Sequence, residues 1–213
     1  CLPSNVDMSI NKIWGSGSND IYIVGNSGNI AHYNGTSWQR IESGTTLNIN
    51  DIWGDYNEKT NEWEILAVAG NILQGTENER AILKIKNNLS AELLNADGTG
   101  WPLSGIWFNS GRKYYLVGSG VFSKTLLNES LWDSSLISIS EYHTNAIRAN
   151  NINDVFIVGA FGESLHFNGV GWKSYQNDLG VFFGSYKAIS VKNDLAISVG
   201  YESTKAKILV GRR

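Results

Sequence analysis

A short apolar run that ends in glycine returns along this 213-residue chain at nearly even intervals. The clear copies are "NDIYIVG" (19–25), "NDVFIVG" (153–159) and "NDLAISVG" (193–200), with looser copies at 64–70 and 113–118. The terminal glycines are separated by 45, 48, 41 and 41 residues. A period of this length is typical of proteins built from repeats that pack on their neighbours.

Three further segments complete each repeat. An inner segment of the type "INKIWG" (10–15) or "INDIWG" (49–54) precedes the glycine-terminated run, and two more segments follow it. All are rich in Ile, Val, Tyr and Trp, are bounded by Gly, Asn and Asp, and show no sustained helical period. Four such strands in about forty residues are typical of one blade of a β-propeller.

We therefore predict an all-β fold: a single β-propeller domain over residues 1–213, with five four-stranded blades. The approximate blades are 10–48, 49–102, 103–143, 144–185, and 186–213 together with 1–9. One isoleucine recurs in each inner segment, which predicts five equivalent buried positions: Ile13, Ile52, Ile106, Ile147 and Ile189.

Closure of the ring needs a strand from elsewhere, because the fifth repeat ends at about its third strand. Residues Leu2–Met8 are the candidate for the missing fourth strand, and Pro3 is tolerable there because an outer strand is an edge strand. We predict that this N-terminal segment closes the ring. If the chain is a piece of a longer protein, further blades are the alternative.

Two nearly identical stretches, "IAHYNGTSW" (30–38) and "SLHFNGVGW" (164–172), carry the strongest turn signal. Asn-Gly between strands favours a type I′ turn. We predict that these turns join the third and fourth strands, with Trp38 and Trp172 at the start of the outer strand. Weaker copies are expected at Asn128 with Trp132 and at Asn87–Asn88, while "DGTGW" (97–101) is expected in a loop between blades.

The chemistry of the chain favours binding over catalysis. The net charge is −3 and the basic residues are scattered, which argues against nucleic acid as a partner. No catalytic or metal-binding motif is visible, so we predict no enzyme activity, no cofactor and no metal. His32 and His166 occupy equivalent repeat positions, which indicates packing. The polar stretch "QGTENER" (74–80) is either a binding loop or a solvated hairpin extension.

The candidate ligand-binding residues are those on the inner segments, which surround the central channel of a propeller. Trp14, Trp53 and Trp107 occupy one repeat position, which becomes Arg148 and Ser190 in the last two repeats. Arg148 is the candidate contact for an anion or carboxylate. The alternative is an arginine that snorkels to one face of the ring.

Cys1 is the only cysteine and the first residue. A mature bacterial lipoprotein begins with the lipid-bearing cysteine left by signal-peptide cleavage, which makes Cys1 a candidate for lipid attachment. The alternative is that the cysteine stands first only because of where the sequence begins.

The motifs I-W-G, N-D-[IV]-[YF]-[IV]-V-G and G-N-I-x-H-[YF]-N-G-x-x-W resemble a group of bacterial secreted and lipid-anchored β-propellers. That group is distantly similar to sialidase-type and photosystem-assembly-type propellers. The resemblance covers most of the chain and implies the fold. The Asp-box of sialidases, S-x-D-x-G-x-x-W, is not matched, so the resemblance implies no catalytic residue.

The expected function is that of a non-enzymatic binding or scaffold propeller, lipid-anchored at a bacterial cell surface or outer membrane, or secreted. Its expected partner is another envelope protein. A carbohydrate-binding lectin is the alternative, because Trp and Tyr can stack on sugars. A glycan-active enzyme is the third reading.

Overall fold

The structure is a computed structural model, and it describes residues 7–71, 79–87, 89–100 and 102–212. The predicted lipid-bearing Cys1 and the latch residues Leu2–Val6 lie outside the described residues. So do most of the polar stretch 74–80, Asn88 and Trp101.

The described residues form antiparallel β-sheets in which sequence neighbours pair. The first sheet contains β1 (Ile10–Gly17), β2 (Asp20–Gly25), β3 (Asn29–Tyr33) and β4 (Trp38–Glu42). The second contains β5 (Ile49–Asn57), β6 (Glu62–Gly70), β7 (Arg80–Ile85) and β8 (Ala91–Leu94). The third contains β9 (Leu103–Asn109), β10 (Lys113–Gly118) and β11 (Gly120–Lys124).

The remaining two sheets follow the same order. The fourth contains β12 (Thr144–Asn151), β13 (Asp154–Gly159), β14 (Ser164–Phe167) and β15 (Trp172–Ser174). A four-residue helix, α1 (Gln176–Leu179), leads to the fifth, which contains β16 (Gly184–Lys192), β17 (Leu195–Glu202) and β18 (Lys205–Arg212). In the part of the chain that is described, no helix has the length and apolar character needed to cross a membrane.

The glycine-terminated runs are the second strands of the five sheets, as their apolar composition predicts. Strands β2, β6, β10 and β13 each end at the repeated glycine. Each sheet lays its inner strand beside the inner strand of the next, and apolar clusters fill the space between successive sheets. The predicted all-β fold of repeated sheets is confirmed.

Four of the five repeated isoleucines are buried, and Ile13 is the exception. Ile52, Ile106 and Ile147 are 0% exposed and Ile189 is 7% exposed, whereas Ile13 is 61% exposed. Each buried isoleucine packs toward the preceding sheet in the clusters between sheets. Among the described residues no sheet covers the corresponding face of the first sheet, so the predicted burial of Ile13 is wrong.

The prediction of four strands in every sheet is wrong for the third sheet. Within the described ranges, the segment around Trp132 makes one bridge to the sheet, between Ser123 and Asp133. The backbone N–H of Trp132 donates instead to Asp97 O in the loop after the second sheet, at 2.9 Å. The Glu129 carboxylate accepts N–H groups from the preceding turn, so those groups are not available to a ladder.

The Asn-Gly turns are placed correctly, but they are not type I′. Gly35 has a φ of +89° and Gly169 a φ of +88°, while neither Asn34 nor Asn168 has a positive φ. Asn34 Oδ1 instead accepts the N–H groups of the two residues that close the turn, at 3.0 and 2.9 Å. The side chain thus organises a four-residue loop, as in an Asx turn.

Closure by the N-terminal segment stays a prediction. Asp7 O accepts a hydrogen bond from Asn29 Nδ2 at 3.3 Å, and Met8 packs against Ile23 and Ala31 of the first sheet. These described residues of the proposed latch therefore lie on the first sheet. Strand β18 has no outer neighbour within the described residues.

The unequal burial of the repeated isoleucines predicts unequal costs of truncation. Ile147→Ala should lower the free energy of unfolding by about 2–4 kcal/mol, because it leaves a cavity between the third and fourth sheets. Ile13→Ala should cost less than about 1 kcal/mol, because its side chain is mostly solvated. Urea titration followed by tryptophan fluorescence measures both changes. Equal losses of unfolding free energy in the two variants would contradict the exposure of Ile13 on the first sheet.

Candidate functional site

The inner strands bring the predicted ligand-binding residues to the centre of the molecule. Trp14, Trp53 and Arg148 line a central cavity of about 310 Å³. The other lining residues come from the same inner strands: Lys12, Ile13, Ile52, Ala149, Ile189, Ser190 and Val191. Strands β1, β5, β12 and β16 all contribute to this cavity, so it is shared by four sheets.

A second, smaller cavity of about 210 Å³ adjoins the first, because Trp53 and Ala149 line both. Trp107 lines it, together with Asp55 and Arg112. All four predicted residues therefore lie on one central face.

The three tryptophans also have a packing role between sheets. The Trp14 ring lies edge-on to Trp63 of the second sheet, with 5.5 Å between ring centroids. It also lies against Gly54, where a Cβ would come within 2.4 Å of the ring, so only glycine fits there. Trp53 Nε1 donates to Phe108 O at 3.1 Å. Trp107 is 3% exposed and packs in the cluster between the third and fourth sheets, so only Trp14 and Trp53 keep a surface that faces the central cavity.

Arg148 is held by a buried carboxylate. Its Nη2 donates to Asp51 Oδ1 at 2.7 Å and its Nη1 to Asp51 Oδ2 at 2.9 Å, a bidentate pair between the fourth and second sheets. The side chains are 10% and 6% exposed. Nη1 also donates to Ile106 O at 3.2 Å, and the guanidinium lies 5.1 Å from the centre of the Trp53 ring.

The ion pair with Asp51 bears on the predicted role of Arg148 as an anion contact. Burial works to lower the pKa of Arg148, but the adjacent Asp51 carboxylate and its hydrogen bonds raise it above the ordinary value. Arg148 is therefore a fixed cation whose charge is balanced inside the protein. Its direct contact with an external anion stays a prediction.

Asp51 also contacts the third and first sheets. Its Oδ2 accepts the backbone N–H of Ile106 at 3.0 Å, and its Oδ1 lies 3.9 Å from Lys12 Nζ. Burial lowers the pKa of Lys12, and the positive charge of Arg148 lowers it further, while Asp51 acts in the opposite direction. Lys12 is 31% exposed, so it is the cation that the central cavity presents to solvent.

Sequence reasoning missed Lys12 and Asp51. Both occupy the residue before the repeated isoleucine, where the later repeats carry Gly105, Ala146 and Ala188. The sequence did contain a signal for this ion-pair network. Lys12 and Asp51 place opposite charges at one repeat position, and Arg148 lies on a third inner strand.

The repeated histidines are packing residues, as predicted. His32 Nε2 lies 2.7 Å from Asp20 Oδ1 and its ring stacks on Tyr22. His166 repeats both contacts, with Asp154 at 2.9 Å and a stacked Phe156. Within the described residues, no three His, Cys, Asp or Glu side chains converge as a metal site requires.

The buried ion pair predicts a large cost for removing one partner. Arg148→Met should lower the free energy of unfolding by about 3–5 kcal/mol, because it strips the buried Asp51 carboxylate of its main counter-charge. The double variant Asp51→Leu with Arg148→Met should recover more than half of that loss. Differential scanning calorimetry at low salt measures both changes.

Arg40→Met is the matched control, since Arg40 forms an exposed ion pair with Glu42. It should cost less than about 1 kcal/mol. A loss at Arg148 no larger than the loss at Arg40 would show that the central pair contributes little.

The chain is similar to solved β-propellers over its whole length. A structure described as YCF48 bound to D1 peptide aligns with a TM-score of 0.68 and 16% identity, covering 100% of this chain and 66% of that chain. YCF48 from Cyanidioschyzon merolae gives a TM-score of 0.69 and 14% identity, covering 100% of this chain and 69% of that chain. The WD40 repeats of RRP9 align with a TM-score of 0.61 and 12% identity, covering 98% of this chain and 64% of that chain.

These likenesses show the fold alone, because every identity is low. The chain spans about two thirds of the length of these proteins. No protein-family model and no curated protein matches the chain. The predicted similarity to photosystem-assembly-type propellers is supported at the level of the fold by the two YCF48 structures.

Proposed function

We propose that this chain is a non-enzymatic propeller of the bacterial cell envelope that binds another envelope protein at its central face. The central cavity carries the proposal, since it combines the aromatic walls of Trp14 and Trp53 with a partly exposed Lys12. A propeller of similar fold is described as bound to a peptide, which supports a protein partner in general.

The charges of the cavity favour a partner segment that carries a carboxylate. Burial and the nearby Arg148 disfavour the charge of Lys12 in the free protein. A carboxylate placed beside Lys12 would relieve both effects, while Asp51 continues to balance Arg148. The sequence predicts Arg148 as the anion contact, whereas we propose Lys12 for the direct contact, with Arg148 behind it as a fixed positive charge.

A carbohydrate-binding function is the second candidate, because a pair of aromatic side chains is exposed beside polar residues on the second sheet. Trp63 is 39% exposed and Tyr56 is 44% exposed, and their rings meet edge-on at 5.6 Å. Trp63 lines a cavity of about 400 Å³ together with polar residues that include Asn57, Glu62 and Asn87. An aromatic ring beside amides and carboxylates is a suitable surface for a sugar.

Photocrosslinking tests the central face. A photoreactive residue in place of Ile13, which lines the central cavity and is exposed, should capture an envelope protein in native membranes. The same residue in place of the exposed Lys59 is the control and should not capture it. Lys12→Gln should weaken binding of the purified captured protein about three- to tenfold, since one partly desolvated charge contact is lost.

The contrary outcome is equally specific. Equal capture from positions 13 and 59, or unchanged affinity in Lys12→Gln, would contradict binding at the central face. Binding on a glycan array that is lost in Trp63→Ala would favour the carbohydrate-binding candidate.

We also propose that Cys1 bears the lipid that holds the protein on the membrane. Several acyl chains on one cysteine give stable attachment, whereas one chain holds only marginally. Cys1→Ser in the native precursor should move the protein from the membrane fraction to the soluble fraction, with a change in Tm of less than about 2 °C. Mass spectrometry of the native N-terminus checks the modification, and a free thiol at Cys1 would contradict it.

A further inference from the structure

The two Asn-Gly loops carry a chemistry that their role as turns does not require. Asn34–Gly35 and Asn168–Gly169 are the two Asn-Gly pairs of the chain, and both asparagines are exposed. The backbone nitrogen that follows an asparagine can attack the side-chain amide carbon, because the product is an unstrained five-membered imide ring. Glycine favours this attack, since it has no Cβ to hinder the approach of its nitrogen. Both pairs are therefore candidate sites of self-modification.

The loops hold the side-chain oxygen of each asparagine where the attack needs stabilisation. Asn34 Oδ1 accepts two backbone N–H groups of its loop, at 3.0 and 2.9 Å. Asn168 Oδ1 accepts those of Val170 and Gly171, both at 3.0 Å. Attack on the amide carbon moves negative charge onto this oxygen, and fixed N–H donors stabilise such an oxyanion. The contacts that order the loop therefore also lower the barrier to the reaction.

The nucleophile and the leaving group of each pair are unengaged within the described part of the chain. The backbone N–H groups of the two glycines donate to no acceptor there, and neither do the side-chain nitrogens of the two asparagines. Other asparagines are anchored through this nitrogen. Asn50 Nδ2, for example, donates to Gly70 O at 2.9 Å and to Leu103 O at 2.8 Å. The Asn-Gly pairs thus have no such hydrogen bond to break before they react.

We propose that Asn34 and Asn168 modify themselves in the folded protein, through a cyclic imide, to aspartate or isoaspartate. The glycine nitrogen forms a bond to the asparagine Cγ, and its proton passes through water to the amide nitrogen. The Cγ–Nδ2 bond then breaks and ammonia leaves. Water adds to either carbonyl of the imide and opens the ring. Each conversion consumes water and releases ammonia, with no oxidation or reduction.

The two products differ in their effect on the loop. Aspartate keeps an oxygen in the same place, so it accepts the same N–H groups while it adds a negative charge. Isoaspartate routes the main chain through Cβ, which lengthens a tight loop by a methylene group. Trp38 pairs with Tyr33 directly beside the first loop, with 5.3 Å between the ring centroids. Isoaspartate at position 34 should therefore loosen the outer strand of the first sheet.

Asn57 is a matched control within the chain, because it has the same loop contacts but is followed by Glu58. Its Oδ1 accepts the backbone N–H groups of Lys59 and Thr60, at 3.0 and 3.3 Å. The side chain of Glu58 hinders attack by the Glu58 nitrogen, so Asn57 should remain an amide. The chain therefore separates the effect of the glycine from the effect of the loop.

The test is incubation of the full chain in mildly alkaline buffer, with samples taken over time for peptide mapping by mass spectrometry. Asn34 and Asn168 should lose their amides at least about tenfold faster than Asn57. Ammonia release should equal the sum of the conversions. Chromatography of the modified peptides should show both aspartate and isoaspartate, because an imide opens at either carbonyl whereas direct hydrolysis gives aspartate alone.

Glu58→Gly should turn the control into a third site. Glu58 is exposed and its φ is not positive, so glycine can replace it without a change in the loop. Asn57 in this variant should convert at a rate within about tenfold of Asn34, since both then combine a following glycine with two N–H donors to Oδ1. An Asn57 that stays intact in the variant would show that the glycine does not decide the reaction.

A double variant separates the two products. Asn34→Asp with Asn168→Asp removes both sites and should keep Tm within about 2 °C of the fresh wild-type protein, because aspartate accepts the same N–H groups. The aged wild-type protein should have a lower Tm than this double variant, since part of it contains isoaspartate. Equal Tm values would contradict the expected loosening of the outer strand.

Unfolding the chain in urea removes the loop contacts but keeps the Asn-Gly pairs. The folded chain should convert within about tenfold of the rate of the unfolded chain, because the oxyanion contacts offset the restricted motion of the loop. Three results would overturn the proposal. They are amides that stay intact in the folded chain while the unfolded chain loses them, equal rates at Asn34, Asn168 and Asn57, and aspartate as the sole product. None of these readouts involves a binding partner, so the proposed function is tested separately.

Discussion

A single carboxylate at the centre of the molecule links strands that are far apart in the chain. Asp51 lies on the second sheet, accepts two hydrogen bonds from Arg148 of the fourth and one from the backbone of Ile106 in the third. Lys12 of the first sheet lies within 3.9 Å of it. Because a buried charge is stable only when it is paired, these four sheets can meet at the centre in one arrangement.

The apolar surfaces between the sheets also hold the sheets together. They are not directional, and by themselves they would tolerate small rotations of one sheet against the next. The outer tryptophans Trp132 and Trp172 and the four buried inner isoleucines restrict that freedom, because each packs in a cluster that includes side chains of the preceding sheet. The central ion pair fixes the inner strands, while Trp132 and Trp172 fix the outer ones.

Local features of the fold could be read from the sequence because they depend on neighbouring residues. The glycine-terminated runs, the Asn-Gly loops and the strand starts at Trp38 and Trp172 all lie where the pattern placed them. The turn type was wrong, because the Asn34 side chain accepts hydrogen bonds that a type I′ turn would not require. The central position of Trp14, Trp53, Trp107 and Arg148 also followed from their place in the repeat.

The remaining features depend on contacts that no repeat pattern contains. The partner of Arg148 lies 97 residues away, and the exposure of Ile13 depends on what stands beside the first sheet. In the described part of the chain the third sheet has no fourth strand, because the backbone N–H of Trp132 donates to the backbone oxygen of Asp97 in a different loop. Each of these results depends on tertiary contacts between segments that are distant in the sequence, and a repeat pattern carries no information about such contacts.

Among the described residues, the first and fifth sheets have more exposed apolar side chains than the sheets between them. Ile13 on the first sheet is 61% exposed, and Val199, Ile208 and Val210 on one face of the fifth sheet are 44–64% exposed. The repeated isoleucines of the second, third and fourth sheets are 0% exposed. In an array of repeats, stability is close to a sum over neighbouring interfaces. The described part of the first and fifth sheets should therefore open locally at a lower free energy than the second, third and fourth sheets, which are also joined through Asp51.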